Sequence, residues 1–226
     1  MTKVVTETDL AIAPPAAPKK AGRRPGRPTG AHGSDAREQL LDVALGMFAR
    51  QGIVETTLGA IAREAGVTPA MVHYYFKTRD QLLDVLIDER FGPLRTELGQ
   101  AFTSSDEPAD ALRAFAEALV ATVDKHPWFA SLWVREVISE GGLLRLRIAE
   151  RFGDAHRKAT IERIEKWQRE GKLNPELEPS LVFVSLFGLT VFPLATWKWR
   201  EGERKLTSEQ IARHAVALLT HGVGPR

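Results

Sequence analysis

The sequence predicts an all-α protein: a short N-terminal three-helix unit with helix-turn-helix spacing, then a larger helical domain. Three observations predict it. Apolar residues recur at helical spacing from Asp35 onward, with no alternating strand pattern and no internal repeat. Helix starts are marked by Thr caps at Thr57, Thr68 and Thr78, and again at Thr207. Helix stops are marked by Gly52, by His126-Pro127 and by Gly141-Gly142.

Taken in order, residues 1–34 are rich in Pro, Ala and Gly and poor in large apolar side chains, so they are expected to form a disordered basic arm. Five cations and no acid lie between Lys19 and Arg27. The folded stretch from Asp35 to Asp80 holds five cations against six acids. Positive charge gathered in an arm beside a near-neutral domain points to a polyanionic partner; a solubilising tail is the other reading. Within the arm, Gly26-Arg27-Pro28 resembles an AT-hook, in which Arg24 and Arg27 enter a narrow minor groove.

The next stretch, 35–80, reads as the helix-turn-helix unit. Leu41, Ala44, Leu45 and Phe48 share one face of a first helix. Leu58, Ile61, Ala62 and Ala65 point inward from a second, capped by Thr57. Gly66 makes the turn, Thr68 caps the third helix, and Pro69 sits at its first position, where a missing N–H costs nothing. Val72 and Phe76 face the core. Thr78 and Gln81 form a capping box, and Leu82, Leu83, Leu86 and Ile87 mark a fourth helix that Gly92-Pro93 kinks or ends.

Residues 81–226 continue as helices over Asp110–Asp124, Trp128–Glu140, Leu143–Glu170, Pro179–Trp199 and Thr207–His221. The run from Pro179 to Trp197 carries no charge over a length close to that of a membrane span. Pro193, four hydroxyl residues and the lack of a second span favour burial against both the protein's own core and a partner subunit, with no membrane involved.

Chemistry of other kinds is not written in the chain. There is no Cys, which excludes disulfides and thiolate metal sites and fits a reducing cytoplasm. The first residues lack the apolar core of a secretion signal. No catalytic motif, phosphate-binding Gly loop or cofactor motif is present, and the six His residues show no metal spacing. An enzyme is therefore not expected. In a helix-turn-helix the second helix presents its N-terminal residues to base edges. That directs Thr68, Pro69, Ala70 and Met71 to bases, and His73 and Tyr74 to bases or backbone; an ordinary αα-corner is the alternative.

The stretch from Ala36 to Leu83 resembles the N-terminal domain of TetR/AcrR-family transcriptional regulators. Phe48-Ala-x-x-Gly52, Thr56-Thr57, Ile61-Ala62, Ala65-Gly66-Val67, Tyr75-Phe76-Lys77 and Leu82-Leu83 carry the likeness in the family's order. The resemblance implies a homodimer on a palindromic operator, a repressor released by a small apolar or amphipathic effector bound in the C-terminal domain. It places Lys77 and Arg79 on phosphate; by their own geometry the helices that start at Thr57 and Thr78 can point backbone N–H groups at phosphate as well. Pro69 stands where the family often has Lys, so polar base contact is thin, and Ala70 and Met71 suit thymine methyls.

Dimerisation is expected from the last two helices, around Val184, Leu186, Gly188, Leu189 and Val191. The effector is expected among Trp128, Phe129, Trp133, Phe183 and Phe187, with Arg135 or Glu136 holding its polar group. The competing expectation is a DNA-binding dimer without an effector, gated by a protein partner or architectural.

Overall fold

The computed structural model describes residues 30–196 and 206–222, all-helical with connecting turns and no strand among them. The chain runs through α1 (Gly30–Gln51), α2 (Leu58–Glu64), α3 (Pro69–Tyr75), α4 (Arg79–Leu86), α5 (Gly92–Thr103) and α6 (Pro108–Lys125). It continues with α7 (Trp128–Trp133), α8 (Leu143–Phe152), α9 (Ala155–Arg169), α10 (Pro179–Thr196) and α11 (Ser208–Gly222). An N-terminal helical bundle with a helix-turn-helix is followed by a larger helical part. The arm residues Arg24 and Arg27 lie outside the described residues, as do Trp197 and Trp199. Helix α1 begins at Gly30, inside the stretch expected to belong to the arm.

The local starts and stops follow the capping chemistry. Thr57 Oγ1 accepts from the Ala60 N–H at 3.1 Å, and Thr68 Oγ1 from the Met71 N–H at 3.3 Å. Gly66 takes φ 68°, a left-handed value that a side chain resists, and this sets the angle between α2 and α3. Thr78 Oγ1 accepts from the Gln81 N–H at 3.1 Å. In place of the expected return bond to Thr78, Gln81 Oε1 accepts from the Lys77 N–H at 2.9 Å, so the box closes one residue earlier. Thr207 and Gln210 do form the reciprocal pair, at 3.2 and 2.9 Å.

Two expected boundaries are corrected. Gly92-Pro93 neither ends nor breaks its helix: the backbone stays right-handed helical from α4 through a π turn, Ile87–Phe91, into α5. The wide turn before Pro93 accommodates its missing N–H. The long helix expected over Leu143–Glu170 is divided. Gly153 adopts φ 63° and ψ −171°, a region open almost only to glycine, and separates α8 from α9.

One core cluster joins α1 through α10, and Val216 of α11 packs against it. It begins with Leu41, Ala44, Leu45 and Phe48 of α1, takes in Ile61, Val72 and Phe76, and continues through Leu82 and Leu86 of α4. Helix α6 then packs between α5, α10 and α11. By length and composition α10 is apolar enough to cross a membrane; here it packs on α6, α7, α9 and α11. It is two-sided: Val182, Leu186, Thr190, Val191 and Ala195 are buried, while Leu181, Val184 and Phe192 are exposed.

Candidate functional site

Two sites emerge, one on the surface of α3 and one inside the C-terminal helices. On α3 the burial of Val72 and Phe76 fixes which side looks out. Thr68, Pro69, Ala70, His73 and Tyr74 are exposed, with Met71 half-buried. Tyr74 is 79% exposed and meets Tyr75 edge-on at 5.1 Å. Thr57 and Lys77 are exposed beside this face. Arg79 is held differently from the expectation: its Nη1 donates to the Val54 carbonyl at 2.8 Å and the Ile53 carbonyl at 3.3 Å. Its guanidinium thus braces the turn between α1 and α2, and Lys77 is the freer cation of the two.

The interior site is a cavity of about 460 Å³ between α5, α6, α7, α8, α9 and α10. Aromatic contacts build its wall. Trp133 and Phe187 stack at 4.6 Å with planes 11° apart, and Phe115 and Phe183 meet edge-to-face at 4.6 Å. Phe129, Trp133, Phe183 and Phe187 all line it, as the sequence led one to expect; Trp128 does not, because its ring turns to Phe91 and His126. Leu94, Leu98 and Phe115 also line it. So do Arg95, Arg145, His156 and Arg157, which the sequence reading missed. Their positions beside inward-facing apolar residues were visible, but not that three separate helices bring them to one opening. Burial, with the nearby charge of Arg95 second, lowers the basicity of His156.

Glu136 is a correction. It is 5% exposed and is not part of the cavity wall. Its Oε1 accepts from the Ile53 N–H at 3.0 Å and its Oε2 from the Leu143 N–H at 3.3 Å. Arg135 lies next to it and donates to the Arg50 carbonyl at 3.2 Å. Both charged groups belong to a second π turn, Val134–Ile138, that continues α7. A π turn advances each side chain through a smaller angle than an α turn, which keeps residues four apart on one side and moves residues three apart off it, so Trp133 and Val137 face the cavity while Arg135 and Glu136 grip the end of α1. Gly142 makes this possible: a Cβ there would fall 2.1 Å from the Glu136 carbonyl oxygen.

Charged pairs add a second connection. Arg147 of α8 reaches Asp80 at 3.0 Å and Asp84 at 3.3 Å, and Arg151 reaches Asp88 at 2.6 Å. Arg37 of α1 donates to Glu89 at 2.8 Å, and Arg90 to Glu38 at 2.6 Å. The expected dimer residues divide: Val184 is 64% exposed, Gly188 is exposed and Leu189 half-buried, whereas Leu186 and Val191 are buried in this subunit's own core. Val191 is therefore removed from any outward face, because it is 1% exposed and packed into this subunit's core. Among the described residues no cluster of His, Asp or Glu is arranged to hold a metal ion.

Comparison with known proteins agrees with this architecture. Residues 40–86 match the sequence model of the bacterial regulatory proteins of the tetR family, and residues 92–199 that of the YcdC-like protein C-terminal region. The HTH-type transcriptional repressor KstR2 of Mycolicibacterium smegmatis is 20% identical over 187 residues, 83% of this chain and 90% of that protein. The solved structure of the ketosteroid transcriptional regulator KstR2 of Mycobacterium tuberculosis superposes with a TM-score of 0.65 at 20% identity, covering 92% of this chain and 100% of that one. The transcriptional regulator FadR of Bacillus subtilis, solved in complex with stearoyl-CoA, gives a TM-score of 0.63 at 19% identity over 82% and 98% of the two chains.

Proposed function

Because the chain belongs to the tetR family of bacterial regulatory proteins, and is on that ground a DNA-binding transcriptional regulator, we propose that it works as a cytoplasmic homodimeric repressor released from a palindromic operator by a small apolar or amphipathic effector. The observation that carries the reading is the pairing of an outward α3 with an aromatic cavity, whose α7 continues into the π turn that holds the α1–α2 turn through Glu136 and Ile53.

On DNA, Thr68, Pro69, Ala70 and Met71 meet base edges, with Ala70 and Met71 against thymine methyls. His73, Tyr74, Lys77 and the N–H groups after Thr57 position the backbone, and Arg24 and Arg27 add salt-sensitive affinity from the arm. Arg79 acts through its hold on Val54, which keeps the α1–α2 turn in place. The second copy docks on α10 through Leu181, Val184, Gly188 and Phe192, spaced three or four residues apart on its exposed side. Two α3 helices then occupy successive major grooves about 34–36 Å apart.

The effector sits against Trp133, Phe183 and Phe187. A cavity that size is within the usual range for small ligands, and a regulator of the same fold is described in complex with stearoyl-CoA. Occupancy biases the equilibrium only if the effector prefers the subunit arrangement that does not fit the operator.

A gel shift on the DNA upstream of the protein's own gene tests this. The expected result is a specific complex that Gly188→Arg, which places a charge on the exposed side of α10, abolishes along with the dimer, and that a metabolite panel dissociates. A complex indifferent to every small molecule would leave the DNA-binding dimer without an effector.

A further inference from the structure

The cavity is apolar within and cationic at its edge. Arg95 comes from α5, Arg145 from α8 and Arg157 from α9, and all three line it. Among the lining residues the one carboxylate is Asp154, 3.5 Å from Arg157. The Arg95 guanidinium lies over the Phe152 ring, 4.8 Å from its centroid. Arg145 has neither an ion pair nor a hydrogen bond from its side chain among the described residues.

Helix α8 makes the contrast plain. Arg147 and Arg151 are both engaged by Asp80, Asp84 and Asp88. Arg145, on the cavity side of the same helix, meets no acid. Arginines from three helices meeting at one apolar opening, with a single acid among them, create a local positive field that favours a bound anion. A guanidinium also matches a carboxylate or phosphate through paired N–H groups while keeping its plane on an aromatic ring.

Resting on the reading of this cavity as the effector site, we propose that its ligand is an amphipathic anion. An apolar chain or ring system lies against Trp133, Phe183 and Phe187, and a carboxylate or phosphate head is held by Arg95 and Arg145. Recognition of the head then falls on α8, whose opposite side is paired to α4 next to the helix-turn-helix.

Calorimetric titration of the full-length protein with decanoate, decanol and decyl phosphate tests the proposal without DNA. Both anions are expected to bind about tenfold or more tightly than decanol, a difference of about 1.4 kcal/mol. The better of the two identifies the head as carboxylate or phosphate. The double variant Arg95→Ala, Arg145→Ala should lose the preference for anions and keep its affinity for decanol. Arg147→Ala, on the other side of α8, should keep the preference. Decanol binding as tightly as the anions would overturn the anionic head and leave the effector cavity standing, as would a double variant that keeps the preference. Failure of all three to bind the folded protein would overturn the proposal and the effector reading together.

Discussion

In the helix-turn-helix, Phe48, Ile61, Val72 and Phe76 are at most 1% exposed and fill a small core completely. Around the cavity, Trp133, Phe183 and Phe187 are equally apolar, but each keeps part of its surface against open space. The difference teaches what each region is built to do. A filled core holds α3 in one orientation, as the proposed reading of a groove requires, and a hollow one leaves room for the proposed effector to supply the packing. The two are joined by the helix that runs on from α4 into α5 and by α1 against α7, where Glu136 holds Ile53 and Arg135 holds Arg50, with ion pairs from α8 to α4 beside them.

The contrast is broken most directly by shortening one aromatic in each region. Phe76→Ala should cost about 3–5 kcal/mol and abolish operator binding, as expected for a fully buried ring. Phe187→Ala should cost clearly less, since its ring already borders a void, and should leave DNA binding intact while altering the ligand response. Denaturant unfolding of both variants checks it; equal losses would contradict the difference between filled and hollow. Next in size, Glu136→Ala leaves the buried Ile53 N–H without its acceptor, a loss of about 1–3 kcal/mol. Its sharper signature is an operator complex that still forms but no longer responds to ligand, with Glu136→Gln restoring part of the coupling.

A smaller effect is expected from the ion pairs between α8 and α4. Arg147→Asp should change stability by no more than about 1 kcal/mol, because these side chains are partly solvated, and the effect should shrink in high salt. Asp84→Arg in the same chain should recover what was lost, as measured by thermal unfolding at low and high salt. The smallest effect concerns acid. The hydrogen bond from Arg37 holds the Glu89 carboxyl below its usual range, against the opposing effect of burial. A lowered folded value contributes stability above the ordinary glutamate range, and this is lost as pH falls through the lowered value. Arg37→Ala should therefore move acid unfolding to slightly higher pH, as followed by circular dichroism.

By itself the sequence determined the helix-turn-helix and the all-helical character. The reason is that the relevant physics is local: Thr57, Thr68 and Thr78 cap within three residues, Gly66 turns on its own φ, and the faces of α1 and α3 follow from helical spacing. It also brought out the aromatic residues of the cavity, because large apolar side chains clustered in sequence are rarely left in water. Only the tertiary structure decided which neighbours they meet. Glu136 became a brace because a π turn rotated it away from Trp133 and toward Ile53. Val191 turned inward because one side of α10 is claimed by the core. Arg95, Arg145 and Arg157 converged because Gly153 folds α9 back from α8 beside α5. Convergence of side chains from distant segments is set by how helices pack on one another, and no window of sequence contains that geometry.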